Sequence, residues 1–173
     1  MNKKLNIGVI SCSVMAQLHM KAVIDHPNAE LYRICDINEA LLNETAAKYN
    51  ISRKTTDYRQ MLADPAVDAV IIVTPDQTHR EISVAALEAG KHVLCEKPMA
   101  LTLDDCKAMI DAAAKAKTKM MVGQICRYTP GFVAAKNLIE RGEIGELFFV
   151  ETEYAHDYAH IDVEWRLDPL RHG

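Results

Sequence analysis

A lysine follows directly after a short apolar stretch of the chain, in the segment Lys-His-Val-Leu-Cys-Glu-Lys-Pro at residues 91–98. The apolar part predicts a buried strand, and Pro98 fixes the chain direction after it. Because open parallel sheets bind ligands at their carboxyl edge, Lys97 would stand where a substrate can reach it. Lys97 is therefore the first candidate for a general base. Taken alone, the segment fits better a surface lysine paired with Glu96 before a turn, and only its surroundings favour the catalytic interpretation.

A second set of candidates lies in the turn after the first apolar run, where residues 8–16 read Gly-Val-Ile-Ser-Cys-Ser-Val-Met-Ala. A dinucleotide fingerprint has glycine at the first two positions and glycine or alanine at the third, where this chain has Ser11, Ser13 and Ala16. Serine is small and its hydroxyl can donate to a phosphate. The helix that begins near Val14 points its free N–H groups at the same place. The loop predicts a phosphate site, but a vestigial site explains it as well.

Asp36 ends the second predicted strand, twenty residues after Ala16. In dinucleotide-binding folds an acidic residue at this place binds the ribose hydroxyls of the adenosine. Its carboxylate would repel a 2′-phosphate, and residues 37–39 (Ile-Asn-Glu) offer no basic partner for one. The sequence therefore favours NAD over NADP, although a helix-capping or turn role would also explain Asp36.

The elements that would position these residues alternate along the chain. Apolar runs predict strands, and apolar residues at helical spacing predict helices between them. The almost continuous apolar run at 67–74 predicts a central strand covered on both faces. This alternation predicts an α/β fold, a Rossmann-type doubly wound parallel sheet with right-handed crossovers. The predicted strands lie at 5–10, 30–36, near 54, 67–74, 91–96 and 119–123, and the predicted helices at 14–25, 39–48, 58–62, 78–89 and 103–116.

The pattern changes at residue 124. A helix is predicted over 130–141, and alternating apolar residues at 146–154 predict the first strand of a different, antiparallel sheet. One helix and one strand cannot cover both faces of a sheet, so this second unit is incomplete by itself. We therefore predict one domain at 1–123 and the truncated beginning of an α+β domain at 124–173.

Composition excludes several classes of function. The 173 residues, 49% hydrophobic and 25% charged, are typical of a soluble globular protein. The net charge of −4 and the lack of a basic run argue against nucleic acid.

Five cysteines without a Cys-x-x-Cys pair argue against disulfides and structural zinc and favour the cytoplasm. The apolar run at 5–10 is too short for a signal peptide, and no run suggests a membrane helix. The irregular spacing of His156, Asp157 and His160 leads us to expect no metal site.

The candidate motifs occur in one order along the chain. The fingerprint turn is followed by Asp36, by Thr-Pro-Asp-Gln-Thr-His at 74–79, by Glu-Lys-Pro at 96–98 and by Val-Gly-Gln at 122–124. This combination resembles the Gfo/Idh/MocA family, oxidoreductases typified by glucose–fructose oxidoreductase and inositol dehydrogenase. The resemblance covers essentially all 173 residues. It implies an NAD(P)-binding Rossmann domain, hydride transfer with a sugar, cyclitol or related polyol, and a second α/β domain for substrate binding and homo-oligomer formation.

The resemblance also implies roles for particular residues. Lys97 would take the proton of the alcohol, and desolvation would favour the neutral amine that this requires. Glu96 is expected to face the cofactor ribose or a backbone group. The implied cofactor-binding residues are Ser11, Cys12, Ser13, Val14, Met15, Asp36, Thr74, Pro75, His79, Glu96 and Lys97. The implied substrate-binding residues are Arg127, Tyr128 and His156.

Two departures from the family pattern leave an alternative open. Ser11 and Ser13 replace the glycines of the loop, and the family's later Asp…His element is absent from these residues. The chain therefore resembles the N-terminal portion of such an enzyme. The alternative is a non-catalytic nucleotide-binding or regulatory protein, or an inactive remnant of the family.

Overall fold

The first part of the chain forms one parallel sheet. The computed structural model describes residues 4–153 and 155. Its strands are β1 (Leu5–Ile10), β2 (Ala29–Cys35), β3 (Lys54–Thr55), β4 (Ala69–Ile72), β5 (His92–Cys95) and β6 (Met120–Val122). They pair in the order β3-β2-β1-β4-β5-β6, and every pair is parallel. The predicted doubly wound sheet is confirmed, with its strand order reversing between β1 and β4.

Five helices connect these strands, close to the predicted positions. They are α1 (Val14–Asp25), α2 (Glu39–Lys48), α3 (Tyr58–Leu62), α4 (His79–Glu88) and α5 (Leu103–Lys115). Their ends follow from local chemistry: the side chain of Asn38 accepts the Leu41 N–H, and Thr102 accepts the Asp105 N–H. Gly90, just after α4, has a φ of +72°, which glycine adopts without steric cost. Among the helices described, none has the length and apolar character needed to span a membrane.

The two faces of the sheet pack against different helices. Val70 and Ile72 of β4 belong to a buried cluster that includes Ile82 of α4. The intervening residue, Ile71, belongs to a second cluster with Ala16 of α1. Because side chains alternate along a strand, consecutive residues of β4 serve opposite faces. This double burial explains the almost continuous apolar run at 67–74.

A second compact unit begins at Gln124, immediately after the first one ends at Gly123. It contains a short 3₁₀ helix, Ile125–Tyr128, and α6 (Pro130–Glu140). All of its residues between 124 and 153 are exposed.

The strand predicted at 146–154 is wrong over residues 146–153, which adopt no regular secondary structure. A strand needs a neighbour to satisfy its backbone N–H and C=O groups, and the described residues of the second unit include no other strand. The apolar pattern of this segment therefore does not produce a strand by itself.

Candidate functional site

A cavity of about 310 Å³ opens at the carboxyl edge of the sheet. Four predicted cofactor residues line it: Ser11, Asp36, Thr74 and Pro75. They follow β1, β2 and β4, so the cavity lies where the strand order reverses. Open α/β sheets bind ligands at this switch point, and the volume is at the lower end for small-molecule sites. The fold thus gathers residues from three separate motifs around one cavity.

Sequence reasoning missed other residues that line this cavity, among them Ile37, Tyr58 and Gln77. The hydroxyl of Tyr58 donates to Glu81 Oε1 at 2.6 Å. Burial, and then the bond to the Glu81 carboxylate, raise the pKa of Tyr58 to about 12, so the phenol stays protonated. Only their positions in the sequence could have indicated these residues. Ile37 follows Asp36 directly, and Tyr58 comes shortly after the strand β3.

Asp36, at the end of β2, is hydrogen-bonded to the loop that follows β1. Its Oδ2 accepts the N–H of Cys12 at 2.7 Å, and its Oδ1 accepts the N–H of Asn38 at 2.8 Å. An ionised carboxylate has about four acceptor positions, so two remain for ribose hydroxyls. The thiol of Cys12 is buried, and this burial raises its pKa to about 11. The backbone N–H of Cys12, and not its thiol, is hydrogen-bonded to Asp36.

Two serines of the loop after β1 accept backbone N–H groups of the same segment. The hydroxyl oxygen of Ser11 accepts the Ser13 N–H at 3.1 Å, and that of Ser13 accepts the Ala16 N–H at 3.4 Å. Ser11 has a φ of 111°, a region that glycine occupies far more readily than serine. Val14 and Met15 are exposed in the first turn of α1, whose N–H groups have no partner within the helix. The loop can therefore present N–H groups to an anion, although a serine hydroxyl covers the one at Ser13.

Glu96 is held by two hydrogen bonds at the end of β5. Its Oε1 lies 2.8 Å from His19 Nε2, and its Oε2 accepts the Lys97 N–H at 3.0 Å. The carboxylate thus faces a backbone group, one of the two partners expected for it, together with His19 of α1. Lys97 itself is exposed, and within the described residues its ammonium group has no hydrogen bond or ion pair. The desolvation expected of Lys97 applies to the complete site with its cofactor and stays a prediction, since no described element covers that side chain.

His79 is buried between two loops. Its Nδ1 lies 2.8 Å from the carbonyl oxygen of Pro98, and its Nε2 lies 2.9 Å from that of Thr74. A cofactor could reach either ring nitrogen only by displacing the carbonyl group beside it. The side chain therefore supports the loop at Thr74 and the segment that contains Lys97.

The predicted substrate residues belong to the second unit. Arg127 and Tyr128 are exposed and, with Phe132 and Lys136, line an open depression of about 530 Å³. His156 lies outside the described residues, as do Asp157 and His160. The substrate role of these residues stays a prediction.

Residues 5–124 match the sequence model of a family described as an oxidoreductase family with an NAD-binding Rossmann fold. The chain belongs to the Gfo/Idh/MocA family. The motif order had indicated this family, and the match confirms it. NAD is the cofactor that this fold binds.

Known members of the Gfo/Idh/MocA family are similar to this chain over most of its length. Levoglucosan dehydrogenase of Pseudarthrobacter phenanthrenivorans is 35% identical over 95% of the chain and 45% of that protein. Inositol 2-dehydrogenase of Salmonella typhimurium is 34% identical over 84% of the chain and 44% of that protein. A levoglucosan dehydrogenase solved with NADH and levoglucosan superposes with a TM-score of 0.79 at 36% identity, covering 83% of the chain and 41% of that structure. The chain thus spans less than half the length of these relatives.

Proposed function

We propose that this chain is the N-terminal, NAD-binding portion of an NAD-dependent dehydrogenase that oxidises the CH–OH group of a sugar, cyclitol or related polyol. The observation that carries the proposal is the convergence of Ser11, Asp36, Thr74 and Pro75 on one cavity at the switch point of the sheet. Relatives named inositol and levoglucosan dehydrogenases support the substrate class. Residues 1–123 form the cofactor domain and residues 124–173 begin the substrate domain, in a homo-oligomeric enzyme of the cytoplasm.

The residues of the cavity fit the dinucleotide. Asp36 has acceptor positions left for the adenosine ribose hydroxyls, and the exposed first turn of α1 at Val14 and Met15 would face the pyrophosphate. Thr74 and Pro75 would form the wall beside it. When bound, NAD supplies the hydride acceptor.

Lys97 is the residue that we assign to proton transfer. It follows β5 at the carboxyl edge of the sheet, and Glu96 turns its carboxylate to His19 and to a backbone N–H. Lys97 would accept the hydroxyl proton of the alcohol through its neutral amine. Arg127, Tyr128 and His156 are our candidates for substrate contacts, and a bound substrate would provide the desolvation that the described residues do not.

Cofactor binding is tested by titrating the chain with NADH and following the nucleotide fluorescence. Replacing Asp36→Ala removes the acceptor for the ribose hydroxyls, and we expect a loss of about 10- to 100-fold in affinity, the size of hydrogen bonds to a charged group. Asp25→Ala, an exposed aspartate at the end of α1, serves as the control with the same charge change. No binding of NADH by the unaltered chain, or equal losses in both variants, would contradict the assignment.

The role of Lys97 is tested in an intact homologue, or in an enzyme that carries the complete substrate domain, by polyol-dependent reduction of NAD. Lys97→Met should reduce turnover by about 10²- to 10⁴-fold, the usual contribution of a general base, with little change in NADH affinity. Lys117→Met, at an exposed lysine after α5, is the control. Unaltered turnover in Lys97→Met would remove this residue from the mechanism.

One observation favours a second candidate, a protein that binds the nucleotide without turnover. The hydroxyls of Ser11 and Ser13 cover amides that a phosphate would otherwise use. In a protein that carries the complete substrate domain, NADH binding without oxidation of any sugar or polyol tested would favour this candidate over the dehydrogenase.

A further inference from the structure

We propose that His19 is a positioning residue for Lys97. It holds the carboxylate of Glu96, which in turn holds the backbone N–H of Lys97 and stays away from the lysine ammonium group. Helix α1, whose N-terminus faces the phosphate loop, would thus fix the segment that carries the base. The importance of this arrangement for catalysis rests on the proposed function, but the arrangement itself can be tested without a cofactor.

The two residues come from distant parts of the chain and meet on one face of the sheet. His19 lies on α1, 77 residues before Glu96. Leu94 of β5 packs against the cluster that contains Met20 of α1, whereas Cys95 belongs to the cluster on the other face. Since side chains alternate along a strand, Glu96 continues on the same face as Leu94. That face is where α1 brings the ring of His19.

The chemistry of the contact fixes the direction of the hydrogen bond. An ionised carboxylate only accepts, so His19 Nε2 carries the hydrogen that bridges the 2.8 Å to Glu96 Oε1. The side chains are only 21% and 11% exposed, so water competes weakly for either group. With Oε1 bonded to His19 and Oε2 to the Lys97 N–H, both oxygens of Glu96 are engaged.

Loss of His19 would leave a buried carboxylate with one oxygen unsatisfied, which is costly. Rotation of the carboxylate towards the ammonium group of Lys97, the next residue in the chain, would satisfy it. Such an ion pair would favour the charged form of Lys97 and oppose its action as a base. His19 therefore keeps Lys97 available as a base, because it gives the Glu96 carboxylate a partner other than the Lys97 ammonium group.

The segment is also held from the opposite face. His79, at the start of α4, lies 2.8 Å from the carbonyl oxygen of Pro98. Histidines from two helices thus contact the residues on either side of Lys97. His19 contacts Glu96, and His79 contacts Pro98. Lys97 keeps a free side chain on a backbone that is fixed on both sides.

The first test measures hydrogen exchange of the Lys97 amide by NMR in the cofactor-free chain. His19→Leu should speed this exchange about tenfold or more, because the amide loses an oriented acceptor. His19→Gln, which keeps an N–H at similar reach, and Lys21→Gln, an exposed residue of α1, should leave the rate close to that of the unaltered chain. The amide of Val9, in the central strand β1, reports general unfolding and should stay protected.

An unchanged Lys97 rate in His19→Leu, or a rate that rises together with that of Val9, overturns the proposal. If His19→Leu does not fold, His19→Asn repeats the test, because its amide is too short to reach Glu96. These outcomes are independent of the NADH titration, so failure of the positioning role and failure of the proposed function are told apart.

The second test measures acetylation of Lys97 by acetic anhydride, quantified by mass spectrometry against Lys117 in the same sample. Acetylation requires the neutral amine, so pairing with a released Glu96 should slow it about threefold or more in His19→Leu. His19→Gln should restore the original ratio. An unchanged or faster reaction of Lys97 in His19→Leu would show that Glu96 does not turn to the ammonium group and would overturn that part of the proposal.

Discussion

At the scale of single residues, we expect Ser11 to limit the affinity of the loop after β1 for NADH. Its φ of 111° favours glycine, and its hydroxyl covers the Ser13 N–H. We expect Ser11→Gly to tighten NADH binding by about tenfold, because one amide is freed and the backbone can approach the pyrophosphate. The measurement is a fluorescence titration of both proteins at one salt concentration.

The same substitution should have a small effect on stability. Relief of the strained backbone is worth about 1–3 kcal/mol, but the flexibility of glycine and the lost hydrogen bond offset most of it. We therefore expect the free energy of unfolding to change by no more than about 1 kcal/mol. Ser52→Gly, at an exposed serine before β3, is the control and should leave NADH affinity unaltered. Weaker binding by Ser11→Gly would mean that the Ser11 hydroxyl helps the nucleotide instead of blocking it.

At the scale of the elements, β1 depends on a glycine that lies against α3. A Cβ atom added to Gly8 would overlap Met61 Sδ and lie 3.4 Å from Val70 Cγ1. Met61 is fully buried, so Gly8→Ala should lower the free energy of unfolding by about 1–3 kcal/mol, the usual cost of overpacking. Urea denaturation followed by circular dichroism measures the change.

A double-mutant cycle provides the control for this prediction. Met61→Val shortens the opposing side chain, so Gly8→Ala should cost much less in that background than alone. Equal costs in both backgrounds would place the effect in the strand backbone and not in the contact with Met61.

The sequence predicted the elements well because their signals are local. Apolar runs located five of the six strands of the first unit, and the sixth, β3, lies near the predicted position at 54. The helices between them begin close to their predicted positions, where side chains such as Asn38 and Thr102 accept backbone N–H groups. The sequence could not predict contacts between distant elements, such as Gly8 with Met61 or His19 with Glu96, because these depend on which elements become neighbours. The segment at 146–153 was predicted as a strand but does not form one, because the described part of the second unit offers it no neighbouring strand.

For the candidate site, too, residues in local motifs were predicted and residues brought in by distant elements were not. Asp36, Ser11, Thr74 and Pro75 were predicted from motifs and line the cavity together. Tyr58, which also lines the cavity, was not predicted, because it follows β3, whose place beside β2 depends on how distant parts of the chain pair. The assignment of each residue to a cofactor or substrate atom stays a prediction.

At the scale of the whole molecule, the second unit exposes a continuous apolar run at 147–150. Phe148 and Phe149 are 97% and 71% exposed, with Leu147 and Val150 beside them. Contiguous exposed apolar surface promotes association, whereas single exposed apolar residues are common and harmless. We expect the chain to self-associate with increasing concentration, and the double variant Phe148→Ser/Phe149→Ser to shift sedimentation velocity profiles towards the monomer.

A matched control separates the run from apolar exposure in general. Leu103, at the start of α5, is 88% exposed but stands apart from this run. Leu103→Ser should therefore leave the sedimentation profile unaltered, and neither variant should change NADH affinity, because none of these residues lines the cofactor cavity. If Leu103→Ser reduces association as much as the phenylalanine variant, the run at 147–150 is not the cause. If the phenylalanine variant associates like the unaltered chain, the association surface lies elsewhere.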